Sequence, residues 1–391
     1  MNSDKLPKCT HSFVGISLTE KTGRINPCCR YSNSNDALTI FDYESLDAIH
    51  STTFFKNLQN DLENGVEHSA CSKCWMQEDA GIQSRRQSTN LFFNKPNFLK
   101  KQEIQDLEIS LDYTCNMMCR ICSPDASSKW GAAKNVIKTF VSEGIDIPSS
   151  TSGYKAYQDQ FFKVFSNTSL AHARHIKLEG GEPFYSKHLE WFVDKLDNEV
   201  IEKEKLHLNI FTNGSIFPTN SILKKLSNFD TKITFSLDAV GELANVIRWG
   251  VDWLVIENSI SSWTKFADSS GVKLQASPTL SILNANKTTE LEQFCKSANM
   301  RVYYNELYNP NYLSMYQLPL EIRNNWKRDD AENNFNNLLL ADNNAVPEFG
   351  KLIKSIKILD EYQNTSFKNA NPEIYNIILE KIDEQQFFNK K

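Results

Sequence analysis

No stretch of this 391-residue chain approaches the run of about 20 apolar residues that crosses a bilayer, so no membrane span is expected. An excess of positive charge is missing too: 43 Lys and Arg stand against 48 Asp and Glu, a net charge of −5. With a sequence pI of about 5.9, the chain lacks the basic face that a nucleic-acid backbone demands, and no nucleic-acid partner is expected. Met1–Pro7 is polar and has no signal-peptide core. These absences together give the expectation of a cytoplasmic protein. The nine cysteines, an odd number in a long chain, do not make a disulfide framework. Reduced thiols in a cytoplasm are more often metal ligands than bridges. What is present is ordinary for a folded protein: 40% hydrophobic and 23% charged residues, enough for a sizeable core and two or three domains.

The chemistry concentrates in Cys115-Asn-Met-Met-Cys119-Arg-Ile-Cys122, a C-x3-C-x2-C pattern. Before it, Leu107–Asp112 alternates apolar and polar residues like a half-buried strand. After it, Pro124 and Ser127 precede a helical pattern over 127–143. Three thiolates therefore sit on a loop leaving a strand end. A structural metal site wants four protein ligands, and no fourth Cys or His is near, so the pattern suggests a metal with one open position. Soft thiolates suit iron–sulfur clusters and zinc. A zinc knuckle remains an alternative on the triplet alone.

Strand and helix patterns then alternate six times, which predicts βα units and a parallel sheet. Strands are expected at Leu107–Asp112, His175–Glu179, Leu206–Thr212, Lys232–Asp238, Lys273–Thr279 and Arg301–Leu307. Between them, Leu189, Phe192, Val193 and Leu196 have core-face spacing, as do Ile256, Ile260, Trp263 and Ala267. Leu291, Phe294, Cys295 and Ala298 make a third stripe, which assigns Cys295 to the core.

Several polar groups fall at the C-terminal strand ends. Gly180-Gly-Glu-Pro183 ends the second strand; its glycines would let backbone approach a ligand, and Glu182 could accept hydrogen bonds from an ammonium. A plain turn is the bland alternative. Period two puts Ser236 and Asp238 on one face, suited to a ribose diol or, more plainly, to a helix cap. Arg248 could pair a carboxylate bidentately or sit on a helix surface. Thr212, Asn213, Gln275 and Ser277 are further candidates.

In the N-terminal part, Gly23 permits a turn between strands Phe13–Leu18 and Arg24–Cys28. The resulting hairpin would bring Cys9 and Cys28 to the Cys71-Ser-Lys-Cys74 turn, closing a four-thiolate shell. A structural zinc ribbon is one reading of it. Cys29 could replace Cys28 as ligand, or be a buried thiol or a hydrogen-atom donor. Asn94–Lys101 reads as a linker to the rest of the chain.

The triplet, with Ile121 as the apolar residue of C-x3-C-x-φ-C, resembles the radical S-adenosylmethionine (SAM) superfamily. The resemblance implies a 4Fe-4S cluster on Cys115, Cys119 and Cys122, its fourth iron chelated by SAM. Gly180, Gly181, Glu182 and Pro183 match the motif that holds the SAM amino group. Ser236 and Asp238 match positions near the ribose and carboxylate, and Arg248 an arginine that meets the carboxylate. Asn213, Gln275 and Ser277 match positions lining cofactor or substrate, although the fifth strand lacks the glycine-bearing adenine motif of many relatives.

The implied fold is α/β, a partial (β/α)6 TIM-like barrel. Cys9, Gly23, Cys28, Cys71 and Cys74 resemble the twitch domain, a short relative of the SPASM domain, and imply an auxiliary 4Fe-4S cluster. In the family this module usually follows the barrel; here it precedes it, leaving no room there for a leader-peptide-binding domain. The expected domains are 1–100 for the auxiliary module, 101–307 for the barrel and 308–391 for a helical extension.

In that extension Asn371-Pro372 reads as a helix start, with Ile374, Ile378 and Ile382 as its apolar stripe. No Cys follows Cys295, so a second auxiliary cluster is not expected. The insert 124–174 has a second helix with Tyr154, Tyr157, Phe161 and Phe165 on one face, and either covers the site or packs on the barrel side.

The resemblance thus implies a radical SAM oxidoreductase or maturase acting on a peptide or on a small molecule such as a sugar, amino acid or nucleotide. An electron donor such as flavodoxin or ferredoxin would serve it. A non-catalytic zinc or iron–sulfur scaffold, and a nucleic-acid-modifying radical enzyme, stand as alternatives.

Overall fold

A computed structural model describes residues 9–19, 22–32, 38–79, 81, 83–93, 103–147, 154–331, 334–341 and 346–388. The expected linker Asn94–Lys101 and residues 148–153 of the insert lie outside these residues, as does the side chain of Tyr154.

The centre is one seven-stranded, wholly parallel sheet: β1 Gly15–Leu18, β2 Asp106–Ser110, β3 His175–Glu179, β4 His207–Thr212, β5 Asp230–Phe235, β6 Lys273–Ala276 and β7 Arg301–Val302. Spatial order equals chain order, so the sheet winds one way. Alternation along the strands assigns the faces. Ile16, Leu107, Ile109, Ile176, Leu178, Leu208, Ile210 and Ile233 point to the buried helical side. Asp106, Glu108, Lys177, Glu179, Asn209 and Gln275 occupy the opposite face, an unusual density of charge for the inside of a sheet.

The six expected strands all form: His175–Glu179 with the expected bounds, β2 and β5 beginning and ending earlier, and the other three shorter. Two of them resume after a break, as Thr279–Leu280 paired in parallel with Asn305–Glu306. The seventh strand was expected within Phe13–Leu18, but not as part of this sheet. Gly15–Leu18 pairs with Asp106–Ser110 instead of folding back as a hairpin. Phe13 and Val14, assigned to that strand, belong to a short helix His11–Val14. All that remains of the hairpin is an antiparallel bridge from Ser17 to Asn26, while Arg24–Ile25 pairs with Leu38–Thr39. The physical reason is burial: Ile16 and Leu18 extend the apolar face of β2, which no two-stranded hairpin could cover. Gly23 does make the turn, at φ +75°. The first hundred residues thus contribute an edge strand to the central sheet.

The helices follow their apolar stripes. Asp252 caps Trp253–Ser270, its carboxylate accepting from Leu254 N–H at 2.8 Å, and Gly271 ends it in the left-handed region. Ile256, Ile260 and Trp263 are buried there, and Leu189, Phe192, Val193 and Leu196 are buried in Leu189–Glu199. Cys295 is fully buried in Thr288–Ser297. The helix expected over 127–143 is broken at Ala133 into Ser128–Ala132 and Lys134–Ser142.

Helix Tyr154–Asn167 buries Tyr157, Phe161 and Phe165 and hydrogen-bonds Tyr157 Oη to Leu18 O (3.3 Å) and Ser110 O (3.0 Å), so it packs on β1 and β2. The C-terminal part is helical, with Phe349–Gln363, Phe367–Ala370 and Pro372–Phe388. Asn371 Oδ1 faces Ile374 N–H at 3.4 Å, the expected cap before Pro372, and Ile374 and Ile378 are buried. Among the described residues no helix is long and apolar enough to cross a membrane.

Candidate functional site

Above the C-terminal ends of β2 to β5 lies a cavity of about 630 Å³, within the range of cofactor pockets. Cys115, Cys119, Cys122 and Ile121 line it from one side; Gly180, Gly181, Glu182, Thr212, Asn213, Ser236 and Arg248 line it from the other. The three thiols and the Gly-Gly-Glu turn therefore share one wall-to-wall space.

The loop that carries the thiols has no regular structure, so each backbone group finds its own partner. Cys115 N–H donates to Ser128 Oγ (3.1 Å), and Ser127 Oγ donates to Met117 O (2.7 Å). Lys129 Nζ donates to Asn116 O (3.0 Å), and Trp130 Nε1 to Cys119 O (2.7 Å). Met118 N–H reaches Trp249 O and Arg120 N–H reaches Ile247 O, both at 2.8 Å. Gly250, at φ +131°, lets the chain pass so close that a Cβ would stand 2.6 Å from Asn116 O.

The Gly-Gly-Glu turn lies against the end of β2. A Cβ at Gly180 would stand 2.9 Å from Asp112 O, and one at Gly181 would overlap the Thr114 carbonyl. The glycines let the turn press on the end of β2, and both also line the cavity. That contact is sealed by Glu182 N–H donating to Thr114 O at 2.7 Å. Glu182 is 1% exposed. Its carboxylate accepts from Asn213 N–H (2.6 Å), Thr212 Oγ1 (2.8 Å) and Phe184 N–H (3.0 Å). Burial nevertheless pushes its pKa up to about 7, against those hydrogen bonds. Pro183 is buried at the start of the following turn.

Arg248 reaches the cavity beside Cys119, its Nη1 at 3.9 Å from Sγ. Burial pulls its pKa down, and the Asp238 carboxylate more than offsets this, so it is raised. The same pair corrects the sequence reading of Asp238. β5 ends at Phe235, so period two no longer holds beyond it. Ser236 faces the cavity, while Asp238 turns behind Arg248 and accepts from Thr279 N–H at 2.8 Å. Gln275 and Ser277 are not brought into this cavity. Gln275 lines a separate one of about 720 Å³ with Lys232 and Arg301. Ser277 Oγ is taken by Asn305 Nδ2 at 2.7 Å. Strand β6 stops at Ala276, so period two does not extend to Ser277.

Several lining or supporting residues carried no signal in the sequence: Asn116, whose Oδ1 accepts from Asn213 Nδ2 at 2.8 Å; Ser215, which accepts from Asn116 Nδ2 at 2.9 Å; and Tyr113, Glu179 and Phe211 on the wall. Asn116 lies inside the cysteine pattern, the only hint available.

A second thiol group lies under the polar face of the sheet. Cys9, Cys28, Cys71 and Cys74 line one small cavity with His11, Tyr31, Trp75, Arg85 and Arg86. Burial pushes Cys9 up to about 11 and Cys71 up to about 12, each with neighbouring thiols adding to it. Arg85 leaves this group to pair with Glu108 on β2 at 2.8 Å. Cys29 points away from the four: its N–H donates to Glu108 Oε2 at 3.0 Å, and burial beside that carboxylate pushes its thiol up to about 12.

In the first cavity burial likewise raises Cys115 and Cys119, and brings Cys122 to about 11. Buried thiols of this kind are inert as thiols and become ligands only when a metal stabilises the thiolate. Among the described residues no three Cys, His, Asp or Glu converge as the ligands of one metal ion do. The thiolates of an iron–sulfur cluster bind separate irons and need not converge. The donor sets, three and four soft sulfurs, fit such clusters.

No family model and no curated protein matches the chain. Among solved structures it is similar to native anSMEcpe with bound AdoMet, at 16% identity and a TM-score of 0.38, over 68% of this chain and 62% of that one. It is also similar to Streptococcus suis SuiB bound to its precursor peptide SuiA, at 14% identity and a TM-score of 0.37, over 82% and 68% of the two chains. TYW1 with a lysine–pyruvate adduct gives 14% identity and a TM-score of 0.27, over 63% and 70%. The chain spans less than two thirds of the length of anSMEcpe.

Proposed function

We propose that the chain is a radical SAM enzyme. The observation that carries this reading is the single cavity shared by Cys115, Cys119, Cys122, the Gly180–Glu182 turn and Arg248. Three thiols with no fourth Cys or His beside them among the described residues leave one iron for a small molecule, and the opposite wall offers a carboxylate for an ammonium and a guanidinium for a carboxylate. That pairing is the recognition set of an amino acid, which SAM contains. The central sheet is read here as a partial barrel of (β/α) units, with its chemistry at the C-terminal strand ends.

A 4Fe-4S cluster on the three thiols would supply one electron to the SAM sulfonium, so that its C5′–S bond breaks to methionine and a 5′-deoxyadenosyl radical that takes a hydrogen atom from substrate. The chain's own residues bind and orient. Glu182, fixed by Thr212, Asn213 and Phe184, presents its carboxylate to the SAM ammonium. Arg248, held by Asp238 at 2.7 Å, meets the SAM carboxylate. Ser236 offers its hydroxyl to the ribose. Ile121 and Met117 exclude water from the same wall.

Cys9, Cys28, Cys71 and Cys74 would hold an auxiliary 4Fe-4S cluster, with Cys28 the ligand because Cys29 is turned to Glu108. The substrate is read as a peptide, modified as by a maturase; a small molecule is the second reading. A flavodoxin or ferredoxin would be the electron donor. The segments 1–100, 101–307 and 308–391 are read as auxiliary module, barrel and helical extension.

Anaerobic reconstitution tests this. Two clusters require about eight irons per chain, and dithionite with SAM should release 5′-deoxyadenosine and methionine. A chain that retains zinc, binds no iron and leaves SAM intact would instead be a scaffold.

A further inference from the structure

The three-thiol loop is tied to the opposite end of the chain. Arg120, between Cys119 and Cys122, is 3% exposed. Its Nε donates to Val246 O at 2.9 Å, on the helix Gly241–Ile247 that leads to Arg248. Its Nη2 donates to Asp360 Oδ1 at 2.5 Å and to Thr365 Oγ1 at 2.8 Å, partners about 240 residues away. Gln363 Nε2 donates to Met118 O at 3.1 Å. The same Asp360 carboxylate accepts from Phe367 N–H at 3.0 Å and so shapes the turn between helices Phe349–Gln363 and Phe367–Ala370.

This arrangement is costly for glue. A buried guanidinium paid for by one carboxylate is seldom more stable than apolar side chains of the same volume. Helices Phe349–Gln363 and Phe367–Ala370 already bury Phe349, Leu352, Ile356, Leu359 and Phe367 against the core. What apolar packing cannot do is fix the direction of Arg120, and with it the two thiols that flank it. Cys115 is held independently, by Ser128.

We propose that Arg120, Asp360 and Gln363 are positioning residues for the three-thiol site, and that the turn at 360–367 sets the placement of Cys119 and Cys122 relative to Cys115. The C-terminal helices are then part of the site and not an appendage to it. This rests on the functional reading above only in what the thiols hold; the clamp itself is a property of the chain.

The test is hydrogen–deuterium exchange of the metal-free full chain, comparing wild type with Asp360→Asn and Gln363→Met. Exchange over 116–122 should quicken about tenfold, the factor given by one lost hydrogen bond of ordinary strength. Exchange over 71–76 and in β4 should stay as in wild type. Unchanged exchange over 116–122 in both variants overturns the proposal, and so does an equal rise across the whole chain, which would make the pair ordinary packing.

Gln363→Met removes no charge and keeps the volume, so it remains informative if Asp360→Asn folds poorly. In reconstituted protein, removing the Asp360 charge should raise the reduction potential of the three-thiol cluster and leave the four-thiol cluster unmoved; a potential unchanged at both counts against the proposal. Failure of the wild type to bind iron would sink the enzyme reading while the exchange experiment still decides the clamp.

Discussion

Asp238 stands directly behind Arg248, with Oδ2 2.7 Å from Nε, and is itself sealed from solvent. The carboxylate is turned to Arg248 and does not line the cavity; on the function proposed above it aims the guanidinium that meets the SAM carboxylate. Asp238→Asn keeps the shape and removes the charge. Breaking one side of a buried pair costs roughly 3 to 5 kcal/mol when the other side stays charged. Without that partner the guanidinium also loses the direction in which it faces the cavity. SAM affinity should therefore fall, by about tenfold or more, while Ser236→Ala, which loses one hydroxyl at the cavity wall, costs less than Asp238→Asn. Isothermal titration of reconstituted protein with SAM measures both. Equal affinities for wild type and Asp238→Asn would remove Arg248 from the binding site.

Glu182 gives a pH dependence of known sign. Its pKa in the folded, ligand-free chain is raised from 4.5 to about 7 by burial. The folded state then holds a proton that the unfolded state has released, across the window between those values. Stability contributed by the neutral carboxyl is present below pH 4.5 and is lost as pH rises through about 7, by up to roughly 3 kcal/mol at 1.36 kcal/mol per unit. An ammonium in the cavity reverses the preference and draws the carboxyl into its charged form. Chemical denaturation from pH 5 to 8 should show a downward slope that Glu182→Gln flattens, and SAM binding should strengthen over the same range in wild type only. No difference in slope between the two proteins would mean that Glu182 ionises as an ordinary surface acid.

The parts of this molecule that were legible in the sequence are those set by local pattern. Six strands and their covering helices follow from period-two and period-3.6 spacing, and Cys295 falls in the core for the same reason. The three cysteines, Glu182 and Arg248, singled out by spacing and by motif, are brought to one cavity. What failed were inferences that ran a pattern past the end of its element. Asp238 was assigned to the face of Ser236 although β5 stops at Phe235, and Ser277 was placed by period two on a strand that stops at Ala276. β1 was expected as a strand but given the wrong partner, because four buried residues, Gly15–Leu18, carry no alternation to mark which neighbour they will choose. The Arg120–Asp360 pair could not be read at all, since nothing local to either residue names a partner 240 positions away.

The four-thiol group makes a prediction that separates adjacent cysteines. Cys28 lines the cavity shared with Cys9, Cys71 and Cys74, whereas Cys29 faces Glu108. Cys28→Ser and Cys74→Ser should each lower reconstituted iron from about eight to about four per chain, and Cys29→Ser should leave it at about eight. Iron analysis with Mössbauer spectra of the reduced protein distinguishes the clusters. Loss of iron in Cys29→Ser with retention in Cys28→Ser would reverse the assignment. Zinc in place of iron in all three variants would make the group a structural site.

The glycines of the Gly180–Glu182 turn predict a steric effect that reaches the thiols. A methyl group at Gly181 would overlap the Thr114 carbonyl, backbone that cannot rotate away, and Thr114 directly precedes Cys115. The turn has to retreat from β2, breaking the hydrogen bond from Glu182 N–H to Thr114 O and shifting the carboxylate held by Asn213. Gly181→Ala should destabilise the chain by about 2 to 4 kcal/mol, the range of overpacking combined with a lost buried hydrogen bond, and should weaken both SAM binding and iron retention at the three-thiol site. Gly350, at the start of helix Phe349–Gln363, has open space where its methyl would go. Gly350→Ala should raise stability by up to about 1 kcal/mol through helix propensity and leave SAM binding alone. Thermal melts of the two variants against wild type give opposite signs if the turn is held by contact with β2. A Gly181→Ala chain as stable as wild type, with full iron and unaltered SAM affinity, would show that the turn has slack and that its approach to β2 is not what fixes Glu182.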